Sequence, residues 1–284
     1  SARMGPRISH LLLSILEREP AIQQRLNIVP ERIGVHFQPQ PANDEHSRHL
    51  AVLYRDNPHS QLQPGEMAVP VGSLFAIDQH GQPLLRQWVR LSQGKDDAAA
   101  MLAFFHEYAA ISVPALLGMY LRYGVAFEAH QQNSFMVMAA DGQLSRLLLR
   151  DFGDIRIDRK TLHAHGLDIE LHDPKMTLYD DAGFVRDKLL HTVFMCHLGE
   201  LILLAARHFD IPQALLWNEL SAQVSQCFDD MRSQVDPQRW ATEREALLEQ
   251  AWPAKSFMRM RLLESHADIV GRLPNPLSAA ANAD

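Results

Sequence analysis

Between Arg7 and Leu26, apolar residues return at helical spacing (Ile8, Leu11, Leu12, Ile15, Leu16, Ile22, Leu26), with Pro20 interrupting or restarting the pattern. One or two helices are expected there. Residues 27–95 read as strand-like and loop-rich, with apolar or β-branched runs at Ile33–Phe37, Leu50–Tyr54 and Met67–Ile77. The polar stretch Gln38–Arg48 and the turn signals Asn57-Pro58, Pro64-Gly65 and His80-Gly81 separate them. Asp96-Asp97 then offers acidic caps to a long helix through Met101, Phe104, Tyr108 and Ile111 towards Tyr120, with Pro114 inside it and Gly124 ending it. Two apolar runs, Ser134–Ala139 and Leu144–Leu149, flank Ala140-Asp141-Gly142-Gln143, and an Asp-Gly pair in that setting is a strong hairpin signal. After Ile157 the chain reads as a His-containing loop up to Asp181, and helical patterns resume at Val185–Phe209, Pro212–Arg232 and Pro237–Ala251.

These elements define an α+β fold: an N-terminal helix with a small mixed-sheet lobe, a central β-hairpin, and a predominantly helical C-terminal part. One domain is expected over residues 1–277, with sub-lobes 1–95 and 96–277, and residues 278–284 form a small, polar tail. The composition supports a packed core. Of 284 residues 46% are hydrophobic, enough apolar surface to offset the entropy of ordering a domain of this size. The formal charge of −7, with Lys and Arg scattered, argues against nucleic acid as the main partner. The apolar stretch from Val193 to Ala206 is broken by His197 and Glu200, so no membrane span is expected. Two cysteines, Cys196 and Cys227, are too few for a disulfide framework and suit a reducing, cytoplasmic compartment.

The densest group of chemically capable residues is Glu128-Ala129-His130-Gln131-Gln132-Asn133, followed after the hairpin by Arg150-Asp151-Phe152-Gly153-Asp154. If the two runs pair about the Asp-Gly turn, both groups fall at the open end of the hairpin. Asn and Asp oxygens are hard ligands suited to Mg²⁺, which keeps several waters and recruits phosphate oxygens, so a nucleotide site is one reading. Protein kinases hold their metals with an Asn and an Asp-Phe-Gly aspartate in a comparable way, although neither a Gly-rich phosphate loop nor a Val-Ala-Ile-Lys strand occurs here. The same residues are also readable as scaffold, with Asp151 and Asp154 capping a turn, Asn133 starting the hairpin and His130 a structural histidine. His163, His165 and His172 lack a convincing ligand pattern, and Met136, Met138, Met258 and Met260 read as core filler.

At these residues the sequence resembles the NRPS-independent siderophore synthetases of the aerobactin-synthetase type. Their C-terminal portion carries Glu-x-His-x-Gln-Asn and, after a hairpin, Arg-Asp and a Gly, as in Glu128–Asn133 and Arg150–Gly153. Trp252-Pro253-Ala254-Lys255, Met260-Arg261-Leu262 and Asn275-Pro276-Leu277 match later family motifs, and Leu26-Asn27-Ile28-Val29 with Glu31 matches an earlier one. The resemblance implies a palm-like domain whose central hairpin is a nucleotide site. The implied reaction is ATP- and Mg²⁺-dependent: a carboxylate attacks the α-phosphate, and an amine or hydroxyl displaces AMP from the acyl-adenylate. It implies that His130 contacts carboxylate and phosphate at the reacting centre. Asn133 and Asp151 would be nucleotide and metal contacts, Glu128 a supporting carboxylate or metal ligand, Gln132 a flanking polar contact, and Arg150 an orienting partner of Asp151. Implied substrates are a carboxylate of the citrate, citrate-monoamide or succinylated-hydroxamate type and a polyamine or hydroxylated diamine. A later-acting synthetase with one of the last two donors is the favoured expectation. A homodimer is also implied, although the apolar stripes of Val185–Ala251 suit internal packing equally.

Family members are about twice as long, and Ser1-Ala2-Arg3-Met4 looks like the end of their Ser-x-Arg-Thr phosphate segment, which would make Arg3 a phosphate contact. The expectation is therefore the C-terminal portion of a longer synthetase. Two rivals stand beside it: a ferric-siderophore reductase or binding protein, which would need a cysteine cluster for an iron–sulfur centre, and a kinase-like phosphotransferase releasing ADP.

Overall fold

The apolar stripe that begins at Ile8 folds as α1 (Gly5–Arg18), and Pro20 opens a separate turn of helix, α2 (Pro20–Gln23). Leu26 lies beyond the helices, in β1 (Leu26–Ile28), and is fully buried, so the helical spacing that included it ends at Ile22. The computed structural model describes residues 2–41, 43–264 and 269–278, apart from the side chains of Asp44, Glu45, Arg48 and Phe257. Ser1 and residues 279–284 of the expected tail lie outside the described residues.

In the first lobe, β2 (Glu31–His36) pairs antiparallel with β3 (Ala51–Arg55), and a short helix, α3 (Asp44–His49), fills the polar stretch between them. One face of this pair packs on α1, whereas Ile33, Val35, Val52 and Tyr54 on the other are about half exposed. Only the start of the Met67–Ile77 run is a strand, β4 (Met67–Pro70); Val71–Phe75 coils into a 3₁₀ turn. The expectation of loops and strands up to residue 95 fails at α4 (Leu85–Gln93), which buries only Leu85, Val89 and Ser92. Its buried positions do stand at helical spacing (i, i+4, i+7), but the pattern lasts only nine residues after a run of strands and turns.

The long helix α5 (Ala98–Tyr123) has the expected boundaries. The Asp97 side chain accepts the Ala100 N–H at 2.9 Å, Pro114 lies inside the helix, and Gly124 closes it at φ +70, where a side chain would be strained. After β5 (Val125–Ala126) comes the hairpin of β6 (Ser134–Met138) and β7 (Leu144–Leu149), in the register Ser134↔Leu149 to Met138↔Leu144 with one bulge. These strands are central in a four-stranded sheet of order β1-β7-β6-β4, where β1 runs parallel to β7.

The His-containing segment is more regular than expected. It holds β8 (Arg156–Asp158), α6 (Arg159–Ala164) and β9 (Leu178–Tyr179), and β8 joins β5 and β9 in a three-stranded sheet. The helical remainder begins with one continuous rod made of α7 (Ala182–Leu189), a π-helical stretch (Leu190–Gly199) and α8 (Glu200–Phe209). It continues with α9 (Gln213–Met231) and α10 (Pro237–Leu248). The C-terminal part is not wholly helical: β10 (Trp252–Lys255) and β11 (Val270–Leu273) pair antiparallel, flanking α11 (Phe257–Leu262).

Two helices, Ala98–Tyr123 and Ala182–Phe209, are long and apolar enough to cross a membrane by length and composition. Both are largely buried and form the centre of one hydrophobic core, with Phe104, Phe105, Tyr120, Phe194, Leu201 and Phe228 fully enclosed. In this globular fold the two apolar helices thus serve as core.

Candidate functional site

The hairpin does what its sequence suggests at its open end. The ladder runs one pair past the strands, with the Arg150 N–H donating to the Asn133 carbonyl at 3.0 Å, so the two motif segments emerge side by side. On the first arm, the Asn133 N–H donates to His130 O at 3.1 Å and closes a tight turn, and the Asn133 Nδ2 donates to Glu128 O at 3.2 Å. That bond fixes the amide, leaving Oδ1 as the group Asn133 can offer to a ligand. Gln132 is exposed, and its carbonyl accepts from Arg150 Nη2 at 3.1 Å, while the Arg150 guanidinium lies over the Phe135 ring.

On the second arm Asp151 turns the chain in the left-handed region, at φ +65, which is costly for a residue other than glycine. Phe152 is buried edge-on against Phe127, tying the two arms together beneath the surface. The Asp151 carboxylate faces the sheet lobe, where Arg55 Nη2 lies 3.4 Å from its Oδ2 and 3.2 Å from Glu31 Oε1. Burial pushes the Glu31 carboxyl up, against the opposing pull of Arg55.

Behind the first arm stands the rod formed by α7 and its π-helical continuation. Lys188 Nζ donates to Glu128 Oε1 at 3.0 Å and to Asp154 Oδ2 at 2.6 Å, joining the arms by a cation that is almost wholly buried. The Thr192 hydroxyl lies 2.8 Å from Phe127 O, and the His197 Nδ1–H donates to Ala129 O at 2.8 Å. His197 Nε2 then accepts from the Tyr108 hydroxyl at 2.5 Å, which fixes the neutral tautomer. Burial holds the His197 pKa down at about 4. Thr192 and His197 are five residues apart, the i→i+5 spacing of a π turn, so the irregular stretch places both under one backbone segment.

Of the residues expected from sequence, Glu128, His130, Gln132, Asn133, Arg150 and Asp151 therefore lie on two adjoining arms. Arg3 sits with two histidines: its Nε donates to His36 Nε2 at 2.9 Å, and its Nη1 lies 2.5 Å from His172 Nε2. Lys188, Thr192, His197, Glu31 and Arg55 were missed. A lysine and a histidine inside an otherwise apolar helical run were a readable signal, since such residues are rarely buried without partners. Nothing local marked Arg55.

Among the described residues, no three His, Cys, Asp or Glu side chains converge as a metal cage. The donors fit Mg²⁺ in its usual manner, where one or two protein oxygens suffice and phosphates and water complete the shell. Asn133 Oδ1 and the partly exposed Asp151 carboxylate are suitable; Glu128 is engaged by Lys188. The same lysine also lines an adjacent cavity of about 280 Å³ with Arg156, Phe184, Asp187, His191 and Lys255. This corner thus gathers charged groups of both signs, Arg156, Lys188 and Lys255 beside Asp187, Glu128 and Asp154.

Residues 1–76 match the IucA / IucC family, and residues 102–269 match the family described as ferric iron reductase FhuF-like transporter. An uncharacterised protein, y4xN of Sinorhizobium fredii (strain NBRC 101917 / NGR234), is 36% identical over 289 residues, covering 99% of this chain and 46% of that protein. The petrobactin biosynthesis protein AsbB of Bacillus anthracis superposes with a TM-score of 0.80 at 18% identity, over 96% of this chain and 46% of its own. ATP-bound aerobactin synthetase IucA of Klebsiella pneumoniae gives 0.75 at 18% identity, over 98% and 48%. The chain belongs to the aerobactin-type, NRPS-independent siderophore synthetase family and carries its ferric iron reductase FhuF-like C-terminal region. It spans about half the length of the relatives it matches.

Proposed function

We propose that this chain is the C-terminal, palm-like portion of an ATP-dependent siderophore synthetase working in the cytoplasm. The reading is carried by one observation: Glu128, His130, Asn133, Arg150 and Asp151 share the open end of the β6–β7 hairpin in a member of this family. A substrate carboxylate oxygen attacks the α-phosphorus of ATP, the bond to the β-phosphate oxygen breaks, and acyl-adenylate and pyrophosphate form. An amine or hydroxyl then attacks the acyl carbon, AMP leaves, and a proton is released with the new amide or ester.

In this scheme His130 contacts the carboxylate and phosphate oxygens at the reacting centre, and Gln132 flanks them. Asn133 and Asp151 would hold Mg²⁺, which when bound would screen the triphosphate charge. Lys188 keeps Glu128 and the 150–154 arm in register, so that two anionic reactants meet in a fixed setting. The adjoining cavity, with Asp187 among Arg156, His191 and Lys255, offers groups of both signs for a carboxylate donor and an amine nucleophile. Cys196 and Cys227, the two cysteines of this sequence, are fewer than the four thiolates of an iron–sulfur cluster, which favours the ligase reading over a reductase one.

The test is carboxylate-dependent exchange of labelled pyrophosphate into ATP, with citrate as the first donor, in the protein at its natural length. His130→Ala and Asp151→Ala should each lower exchange by at least about 100-fold, within the range for removing a group acting at the reacting centre, with the thermal midpoint unchanged. Exchange at the original rate in both variants overturns the site, and ADP in place of AMP as product overturns the reaction.

A further inference from the structure

Resting on the reading above, we infer that Glu31 is a positioning residue for Asp151, acting through Arg55 to present the Asp151 carboxylate to a divalent cation–nucleotide complex. Glu31 and Arg55 are cross-strand partners at the mouth of the β2–β3 pair, 24 residues apart in sequence, and Arg55 is 96 residues from Asp151. The Glu31 N–H donates to Ser9 Oγ at 2.9 Å, which anchors the start of the strand on α1. Its side chain is fully buried, and one oxygen takes the Arg55 guanidinium.

The second oxygen, Oε2, has no hydrogen-bond partner and lies against the first residue of α1, Gly5, where a Cβ would come within 2.1 Å of it. Burying a carboxylate with one oxygen unpaired is a poor way to stabilise a fold, because the desolvation penalty commonly exceeds the gain from the ion pair. The arrangement makes sense as a clamp. Asp151 occupies a backbone conformation that persists only when its surroundings hold it there. Glu31 holds the Arg55 guanidinium, and Arg55 steers the Asp151 carboxylate. A small residue at Gly5 admits the carboxylate that does this.

Replacing Glu31 by Gln keeps the shape but removes the charge that holds Arg55 away from full pairing with Asp151. The experiment is calorimetric titration of the natural-length protein with ATP, once with Mn²⁺ and once with EDTA, for wild type, Glu31→Gln and Asp151→Asn. Glu31→Gln should weaken Mn²⁺-ATP binding by about tenfold, as expected when a group that orients a metal ligand is lost. Metal-free ATP binding should stay within about twofold, and the thermal midpoint should hold or rise, since a buried charge is removed. Arg55→Lys should fall between wild type and Glu31→Gln. A merely structural role would instead lower the midpoint and weaken both titrations equally, and that pattern overturns the inference, as does Mn²⁺-ATP binding by Glu31→Gln at wild-type strength. Absence of Mn²⁺-ATP binding by the wild type overturns the functional reading itself, so the two failures are distinguishable.

Discussion

The two arms at the open end of the hairpin are held in opposite ways. The Phe127–Asn133 arm rests on the rod of α7 and its π-helical continuation, where Thr192 and His197 reach backbone carbonyls and the contacts are neutral and dry. The Arg150–Asp154 arm rests on the sheet lobe through Arg55, whose contacts are ionic and partly open to water. Lys188 pairs with a carboxylate on each arm. Neutral, enclosed hydrogen bonds give fixed geometry, whereas a half-exposed ion pair can exchange partners when a charged ligand arrives. One arm is thus built for rigidity and the other for response.

The contrast is most severely tested at His197. Replacement by Ala leaves Ala129 O and the Tyr108 hydroxyl buried without their partner and opens a cavity, so unfolding free energy should fall by about 3–5 kcal/mol in urea titrations. A loss no larger than that from a surface change would mean the helical support is not rigid. The pH dependence comes next. His197 has its pKa depressed from 6.5 to about 4 in the folded protein, so the unfolded chain binds the extra proton first as pH falls. The stability from this group is complete above pH 6.5 and is lost as pH falls towards 4, by about 3 kcal/mol in total. Comparing wild type with His197→Gln from pH 7.5 to 4.5 should show this slope in the wild type alone. The smallest effect belongs to the responsive arm: Arg150→Ala removes one bond to Gln132 O and a cation–π contact with Phe135, and should cost about 1 kcal/mol or less. A cost comparable to that at His197 would erase the difference between the arms.

The parts of this architecture that were legible in sequence are those with local causes. Asp141-Gly142 between apolar runs gave the hairpin, and with it the meeting of Glu128–Asn133 with Arg150–Asp154. Asp97 and Gly124 gave the ends of α5. Elements whose causes are distant were not legible. Leu26 kept the helical spacing yet joined a strand beside Leu147, because a parallel partner more than a hundred residues away decides its state. The π-helical stretch cannot be read from a periodicity that assumes 3.6 residues per turn. Glu31 and Arg55 reach Asp151 only after the sheet lobe has docked, so no spacing in the chain could announce them.

That π-helical stretch also constrains how the gene can vary. Losing any single codon from Leu190 to Cys196 would preserve the reading frame, the apolar composition and nearly the whole length of the rod. It would nevertheless turn everything on one side of the deletion by about 100° relative to the other. Lys188 and His197 could then no longer meet Glu128 and Ala129 together, so along this segment substitutions should be tolerated far more readily than changes in length.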